Sequence, residues 1–106
     1  MTHGRSPGIE RLAPELARAI GAVLREERRA KRLRQAQLSD VIGIVPTTVS
    51  RIERGRECPT LPMFVLLASG VCVPAPTLLE RAVNHASVKL ALLEILQAAR
   101  PPPNRR

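Results

Sequence analysis

The sequence has almost no aromatic side chains. Phe64 is the single aromatic residue, and there is no Trp or Tyr among the 106 residues. Proteins that bind single-stranded nucleic acid by stacking bases on aromatic side chains are therefore disfavoured. The core must then consist of Leu, Ile, Val and Ala, which suits helices. Because no run of alternating apolar and polar residues is bounded by turn residues, no strand is predicted.

Cysteine and histidine are also scarce, with two of each. Cys58 and Cys72 flank a predicted helix whose ends lie roughly 18 Å apart, too far for one disulfide. We interpret both as small, semi-buried thiols, with an intermolecular redox role as the alternative. His3 and His85 have no partner at metal-ligand spacing, so we expect no metal and no other cofactor. No catalytic constellation or phosphate-binding loop is recognisable, so we expect no catalytic residues and no enzyme activity.

Long apolar runs are absent, since the longest uncharged one, residues 61–73, is too short to span a bilayer. The N-terminal residues lack the apolar segment of a signal peptide, and a cytoplasmic location is expected. Acidic residues are outnumbered, with 9 Asp and Glu against 17 Lys and Arg, which gives a net charge of +8. A small chain this basic usually binds a polyanion, and its many Arg side chains suit bidentate contacts with phosphate and guanine.

Helix and turn signals divide the chain into four parts. Residues 1–13 are predicted to form a flexible N-terminal arm, 14–79 a helical domain, 80–99 a C-terminal helical dimerisation segment and 100–106 a Pro-rich basic tail. Apolar spacing predicts helices over 14–31, 35–42, 46–54 and 61–71, and a last helical region over 77–99 that is continuous or broken near 84–87. Thr77 to Glu80 has the pattern of a capping box. The helix over 61–71 is apolar nearly all round and is expected to be central. The predicted fold class is all-α.

The most informative segment is residues 35–54, which read QAQLSDVIGIVPTTVSRIER. Two short helices with a glycine in the turn between them have the helix-turn-helix arrangement. Ser39 is small where the helices must cross closely, and Gly43 lies in the turn, where a positive φ costs little for glycine. Apolar residues occupy the positions that a shared core would need: Leu38, Ile42, Ile44, Val49 and Ile52. The alternative is a pair of packed core helices that bind nothing.

Residues 20–79 resemble the Cro/phage-repressor type of helix-turn-helix domain, also called the xenobiotic-response-element family. The string VSRIERG at 49–55 is the most specific match, and others are Leu24, Arg28, Leu33, Gln35, Leu38, Gly43, Ile44, Pro59, Leu61, Leu67 and Ala68. The resemblance implies a compact five-helix, lambda-repressor-like domain that binds double-stranded DNA, usually as a dimer, and regulates transcription. The C-terminal helix is additional. The resemblance also implies a bacterial or phage-encoded, nucleoid-associated protein.

The resemblance also implies roles for individual residues. Outward-facing residues of the recognition helix, 46–54, are the candidates for base readout: Pro46, Thr47, Thr48, Ser50 and Arg51. Arg51 is the strongest of them, because a guanidinium can bind O6 and N7 of guanine together. DNA phosphates are the expected contacts of Gln35, Arg54 and Arg56. Arg28 and Glu53 match a partly buried ion pair that joins the first helix to the third. For each exposed Arg, the alternative is a solvated surface charge.

The sequence departs from the family pattern at several positions. Arg34 and Val45 stand where Ser, Thr or Asn usually caps the two motif helices. Pro46 replaces a frequent polar base contact, so readout there is expected to be steric. Cys72 occupies a position after the fourth helix that is often glycine. The basic run over 25–34 either contributes arginines to the DNA-facing surface or forms an ordinary salt-bridged helix face.

The C-terminal helix has two apolar stripes, where one would suffice to dock it on its own domain. We therefore predict a homodimer through Val88, Leu92, Leu93, Ile95 and Leu96, with two recognition helices that bind a palindromic operator. The alternative is a terminal helix that folds back within one subunit. The expected function is a dimeric repressor or autoregulator. The other possibilities are an antitoxin-type module that binds a protein partner and its own operator, and a structural protein that coats DNA.

Overall fold

A computed structural model describes residues 6–99 of the chain. Within that range the fold is all-α, with six helices and no strand: α1 Pro7–Ala30, α2 Gln35–Ile42, α3 Pro46–Glu53, α4 Leu61–Gly70, α5 Ala75–Val83 and α6 Ala86–Ala99. The predicted all-α class is therefore confirmed. The last helical region is broken, with Asn84 and His85 between α5 and α6.

Helix α1 begins at Pro7 rather than at Pro14, so the prediction of a flexible arm is wrong for residues 7–13. Ser6 caps the helix, since its Oγ accepts hydrogen bonds from the backbone N–H groups of Gly8 and Ile9 at 3.2 and 3.4 Å. Pro7 follows at the first helical position, where its missing N–H is not needed. The first turns are also held against α6, because Arg11 donates to Glu94 at 3.0 Å. The predicted arm residues 1–5 and the tail 100–106 lie outside the described residues.

Helix α1, and not α4, is the central element of the core. It packs against α3, α5 and α6. Helix α4 buries Phe64, Leu67 and Ala68, but Leu61, Val65 and Leu66 on its other side are 70%, 45% and 46% exposed. The expectation of a central α4 is therefore wrong. Apolar composition alone did not reveal that this helix has only one covered face.

The crossing of α1 and α3 depends on Gly21. A Cβ at this position would lie 2.7 Å from the carbonyl oxygen of Glu53, and it would come still closer to that of Ile52. Real Cβ atoms do not approach backbone oxygens so closely, so any side chain at Gly21 would push α3 away from α1. The absence of a side chain here therefore sets the position of α3.

Helices α5 and α6 depart from the prediction in two ways. Helix α5 begins two residues before Thr77, with Pro74 as the preceding cap, so the predicted capping box is wrong. Val88 on α6 is fully buried within the subunit, as is Ala91, so the assignment of Val88 to a dimer surface is also wrong. Val88 belongs to the core of its own domain.

Among the described residues, no single helix is both long and apolar enough to cross a membrane. Helices α4 and α5 pass that test only when they are taken together, and they are bent by 108° relative to each other. Each of them contributes buried residues to the core, Leu67 from α4 and Leu78 from α5.

Candidate nucleic-acid interface

Helices α2 and α3 form a helix-turn-helix around a tight turn. Gly43 adopts the left-handed conformation with a φ of 71°, and its N–H donates to the Ser39 carbonyl at 2.9 Å. The Ser39 hydroxyl donates to the carbonyl of Ile44. Beneath the turn, Leu38 and Val49 are fully buried. Ser39, Gly43 and the apolar residues Leu38 and Val49 thus have the roles that the sequence predicted.

Neither motif helix has a side-chain cap at its own N-terminal residue, as the sequence predicted for Arg34 and Val45. At α2, the side-chain oxygen of Gln37 accepts from the backbone N–H of Arg34 at 2.7 Å. At α3, Pro46 occupies the first helical position, where a proline is pre-organised for a helix. Both helix starts are therefore stabilised from within the first turn.

The expected ion pair between α1 and α3 is present. The Nε of Arg28 donates to Oε2 of Glu53 at 2.6 Å, and its Nη2 donates to Oε1 at 2.9 Å. The side chains are only 10% and 2% exposed. The hydrogen bonds from Arg28 to Glu53 raise the pKa of the Arg28 guanidinium above its usual value. A charged pair so enclosed holds α3 at a fixed position on α1.

Gln35 joins this pair. Its side-chain Nε2 donates to Oε1 of Glu53 at 2.9 Å, so the amide faces the ion pair. The sequence placed Gln35 at the start of α2 as a candidate phosphate contact, and it gave no sign of this contact with Glu53. Contact between Gln35 and a DNA phosphate stays a prediction, with the backbone N–H at the start of α2 as a further donor.

The five candidates for base readout on α3 differ in their exposure. Pro46, Thr47 and Arg51 are exposed, while Thr48 and Ser50 are half-buried. Arg51 forms an ion pair with Glu57, with 3.1 Å between its Nε and Oε1 of Glu57. Glu57 lies beyond the end of α3, and sequence reasoning did not single it out. Helix periodicity cannot predict a contact that crosses an irregular loop.

Basic side chains extend this surface toward α1. Arg54 is exposed and its Nε donates to the Ser50 carbonyl at 3.4 Å, and Arg56 is exposed in the loop after α3. Arg25 and Arg29 of α1 line one cleft together with Arg54. The side of α1 in this cleft therefore has an excess of positive charge beside α3.

The other side of the basic run is an ordinary salt-bridged face. Glu27 pairs with Lys31 at 2.9 Å, and Arg81 of α5 donates to both Glu26 and Glu27. The salt-bridged alternative for residues 25–34 is therefore confirmed for Glu26, Glu27 and Lys31, while the contribution of arginines to a DNA-facing surface stays a prediction. Arg25 and Arg29 lie in the cleft beside α3, whereas Lys31 is paired with an acidic residue.

The cysteines contribute no site of their own. Cys58 and Cys72 are both exposed free thiols, so the expectation of semi-buried side chains is wrong. Neighbouring protein atoms still remove some water from around the Cys58 thiol, which raises its pKa. Cys72 has a φ of 61°, the left-handed conformation that glycine adopts most readily. Across residues 6–99, no group of His, Cys, Asp and Glu could hold a metal ion.

Comparison with known proteins agrees with this geometry. A family model described as a helix-turn-helix domain matches residues 19–82. The crystal structure of the clp gene regulator ClgR from Corynebacterium glutamicum is similar, with a TM-score of 0.65 and 23% sequence identity. The match covers 82% of this chain and 96% of that chain, and it establishes a shared fold. No curated protein matches this sequence.

Proposed function

The chain belongs to the helix-turn-helix domain family, and we propose that it is a sequence-specific transcriptional regulator of the Cro/phage-repressor type that reads duplex DNA with α3. A helix-turn-helix is a module for binding double-stranded DNA in the major groove, and such domains are typically non-enzymatic. One observation carries the proposal: α3 turns Arg51 and Thr47 outward while the buried pair of Arg28 and Glu53 holds its inner side.

In this proposal the outer residues of α3 read bases and the residues around them bind phosphates. Arg51 is the principal reader, since its guanidinium can donate two hydrogen bonds to one guanine. Thr47 offers a hydroxyl and a methyl group, and the ring of Pro46 selects by shape. Arg54 and Arg56 bind the DNA backbone, which sets the position of α3 in the groove without reading sequence. Acting on bacterial or phage DNA, the protein would work in the cytoplasm.

The test of this function starts with selection of bound sequences from random duplex DNA. A single enriched motif is expected, and Arg51→Ala should weaken binding to it by about 1–3 kcal/mol and relax the preference at one base pair. Arg11→Ala is the matched control, because it also removes an arginine from an exposed pair with a glutamate. Selection without enrichment, or equal losses on selected and random DNA, would contradict sequence-specific readout by Arg51.

We further propose that the regulator is a homodimer that binds a palindrome and represses transcription, including that of its own gene. The support is the apolar stripe of α6 that faces away from its own domain, in which Leu90, Leu93 and Leu96 are 52%, 53% and 65% exposed. A second copy of the chain would cover this stripe by a symmetric contact. Leu92 and Ile95 are half-buried and lie at the edge of the same surface. The recognition helices would then enter successive major grooves about 34 Å apart.

The dimer is tested without disturbing the core. Truncation after Leu79 would remove the fully buried Ala82, Val88 and Ala91, so point changes are preferable. The double change Leu93→Gln with Leu96→Gln should give a folded monomer by light scattering and weaker operator binding. Leu66→Gln, on the exposed side of α4, is the control. If the α6 variant remains a dimer, the interface lies elsewhere.

Repression is tested separately from assembly. A reporter promoter that carries the selected motif should be expressed less when the wild-type protein is present, and Arg51→Ala should relieve the effect. Increased expression of the reporter would instead identify an activator.

A further inference from the structure

The ion pair between Arg51 and Glu57 lies at the surface proposed to read DNA. The Nε of Arg51 donates to Oε1 of Glu57 at 3.1 Å, while the side chains remain 52% and 35% exposed. A carboxylate beside the main base-reading side chain is unexpected on electrostatic grounds, because DNA phosphates repel it. Its presence calls for a role that offsets this repulsion.

The loop after α3 places Glu57 beside Arg51 through its backbone. The N–H of Arg56 donates to the carbonyl of Arg51 at 2.9 Å, and the N–H of Gly55 donates to that of Ile52 at 3.0 Å. Gly55 has a φ of 73°, which lets the chain reverse direction directly after α3. The backbone that precedes Glu57 is thus tied to the helix that carries Arg51. The loop therefore fixes the backbone position from which the Glu57 side chain reaches the Arg51 guanidinium.

The atoms that form the pair leave the remaining donors of Arg51 available. A guanidinium carries five N–H donors in a planar fork, and the contact with Glu57 uses the one on Nε. The two Nη groups remain at the far end of the side chain. Those donors can reach O6 and N7 of one guanine together. A contact at Nε thus orients the guanidinium while leaving two parallel donors free.

We propose that Glu57 is a positioning residue that holds the Arg51 guanidinium in the orientation that reads guanine. This inference rests on the proposed function of Arg51. An arginine without such a partner loses side-chain conformational freedom when it binds a base, and this loss weakens binding. Glu57 already restricts the Arg51 side chain in the free protein, so less freedom is lost when DNA binds. The same carboxylate weakens binding to every sequence by repelling phosphates. Glu57 therefore raises the ratio of specific to random binding.

The experiment compares Glu57→Ala, Glu57→Gln, Arg51→Ala and the double change Arg51→Ala with Glu57→Ala. Each variant is titrated with the selected duplex, with the same duplex substituted at the Arg51-dependent base pair, and with random duplex. Glu10→Gln is the charge-matched control. Glu10 is an exposed carboxylate in the first turn of α1, and it lies more than two helical turns away from Gly21, the residue at which α1 contacts α3. Thermal unfolding of every variant checks that the fold is retained.

Glu57→Ala should lower the ratio of specific to random affinity by about 2- to 10-fold, with the preference relaxed at the same base pair as in Arg51→Ala. Binding to random duplex should stay equal or tighten, because one negative charge is removed. Glu57→Gln can still accept from Nε through its amide oxygen, so it should keep most of the base preference. In the Arg51→Ala background, Glu57→Ala should not change the base preference further.

Two results separate failure of this inference from failure of the proposed function. If Arg51→Ala relaxes one base pair while Glu57→Ala strengthens binding to all duplexes equally, Glu57 only repels DNA and does not position Arg51. If Arg51→Ala changes no base preference, Arg51 is not a base reader, and both the function assigned to it and the role of Glu57 are overturned.

Discussion

Arg28 and Glu53 are joined by two hydrogen bonds, and the same guanidinium donates a third, from Nη1 to the Leu33 carbonyl at 2.7 Å. One side chain of α1 therefore connects α3 with the segment that leads into α2. Because all three contacts are made by the charged head of Arg28, loss of its partner would leave a buried cation without a counter-charge. Arg28 therefore helps to fix the relative position of the two motif helices, together with the turn between them and the close approach of Gly21 to α3.

Removing one member of this pair should destabilise the fold strongly. Glu53→Gln is expected to lower the free energy of unfolding by about 3–5 kcal/mol, measured by urea denaturation, since Arg28 is then uncompensated. Replacing both residues, as Arg28→Met with Glu53→Leu, should recover much of that loss. Glu94→Gln breaks an exposed pair with Arg11 and should cost at most about 1 kcal/mol. Equal effects at the two pairs would contradict the structural role of Arg28.

Gly21→Ala should destabilise the protein although alanine favours helices. Its Cβ would collide with backbone oxygens of α3, so we expect a loss of about 1–3 kcal/mol and weaker DNA binding because α3 must move. Ala22→Gly is the control, because it replaces alanine by glycine at the exposed neighbouring position. It should lower the free energy of unfolding by about 0.5–1 kcal/mol through helix propensity alone. Differential scanning calorimetry on the two variants separates the effects. A stabilised Gly21→Ala would show that the two helices are not in close contact.

Cys72→Gly should stabilise the protein. Cys72 follows α4 with a φ of 61°, a conformation that costs a side-chain-bearing residue about 1 kcal/mol relative to glycine. The thiol is exposed, so its removal sacrifices little packing. Thermal unfolding under reducing conditions should show a higher midpoint for Cys72→Gly. Cys58→Gly, at the other exposed thiol, lacks this conformational benefit and should show no increase.

Acidification should weaken the contact between α1 and α5. Hydrogen bonds from Lys31, and then from Arg81, hold the pKa of the Glu27 carboxyl below its ordinary value of 4.5. Because the folded pKa is the lower one, this carboxylate stabilises the fold above about pH 4.5 and loses that effect as the pH falls through the folded pKa. The contribution is below about 1 kcal/mol at this partly exposed site. Urea denaturation across that pH range should show a shallower decline for Glu27→Gln, and an unchanged decline would refute the assignment.

Operator affinity should fall steeply with salt concentration. Each phosphate that the protein neutralises contributes a slope of roughly −0.9 to log K against log[salt] on duplex DNA. Arg54→Gln and Arg56→Gln should each reduce the magnitude of the slope by about 1 per subunit, with little change in base preference. Arg11→Gln should leave the slope unchanged. A nearly flat salt profile for the wild-type protein would contradict a phosphate-binding role for these side chains.

The sequence by itself determined the local structure of the motif. Helix α2 has the predicted bounds, and α3 ends one residue before its predicted end. The ends of both helices could be predicted because Gly43 and Gly55, which have a positive φ, lie just after them. These signals act within a few residues, so they can be read without knowledge of the fold. The inward positions of Leu38 and Val49 follow from helix periodicity in the same way.

Only the tertiary structure decided which surfaces meet. Both stripes of α6 are apolar, yet Val88 is fully buried against its own domain while Leu93 is 53% exposed. The contacts of Glu53 with Gln35 and of Glu57 with Arg51 also could not be predicted, and neither could the closeness of Gly21 to Ile52. A helix pattern predicts which face is apolar but not which neighbour covers it. That choice depends on how all the helices pack together, because most of these contacts join residues far apart in the sequence. The contact of Glu57 with Arg51 depends instead on the irregular loop after α3.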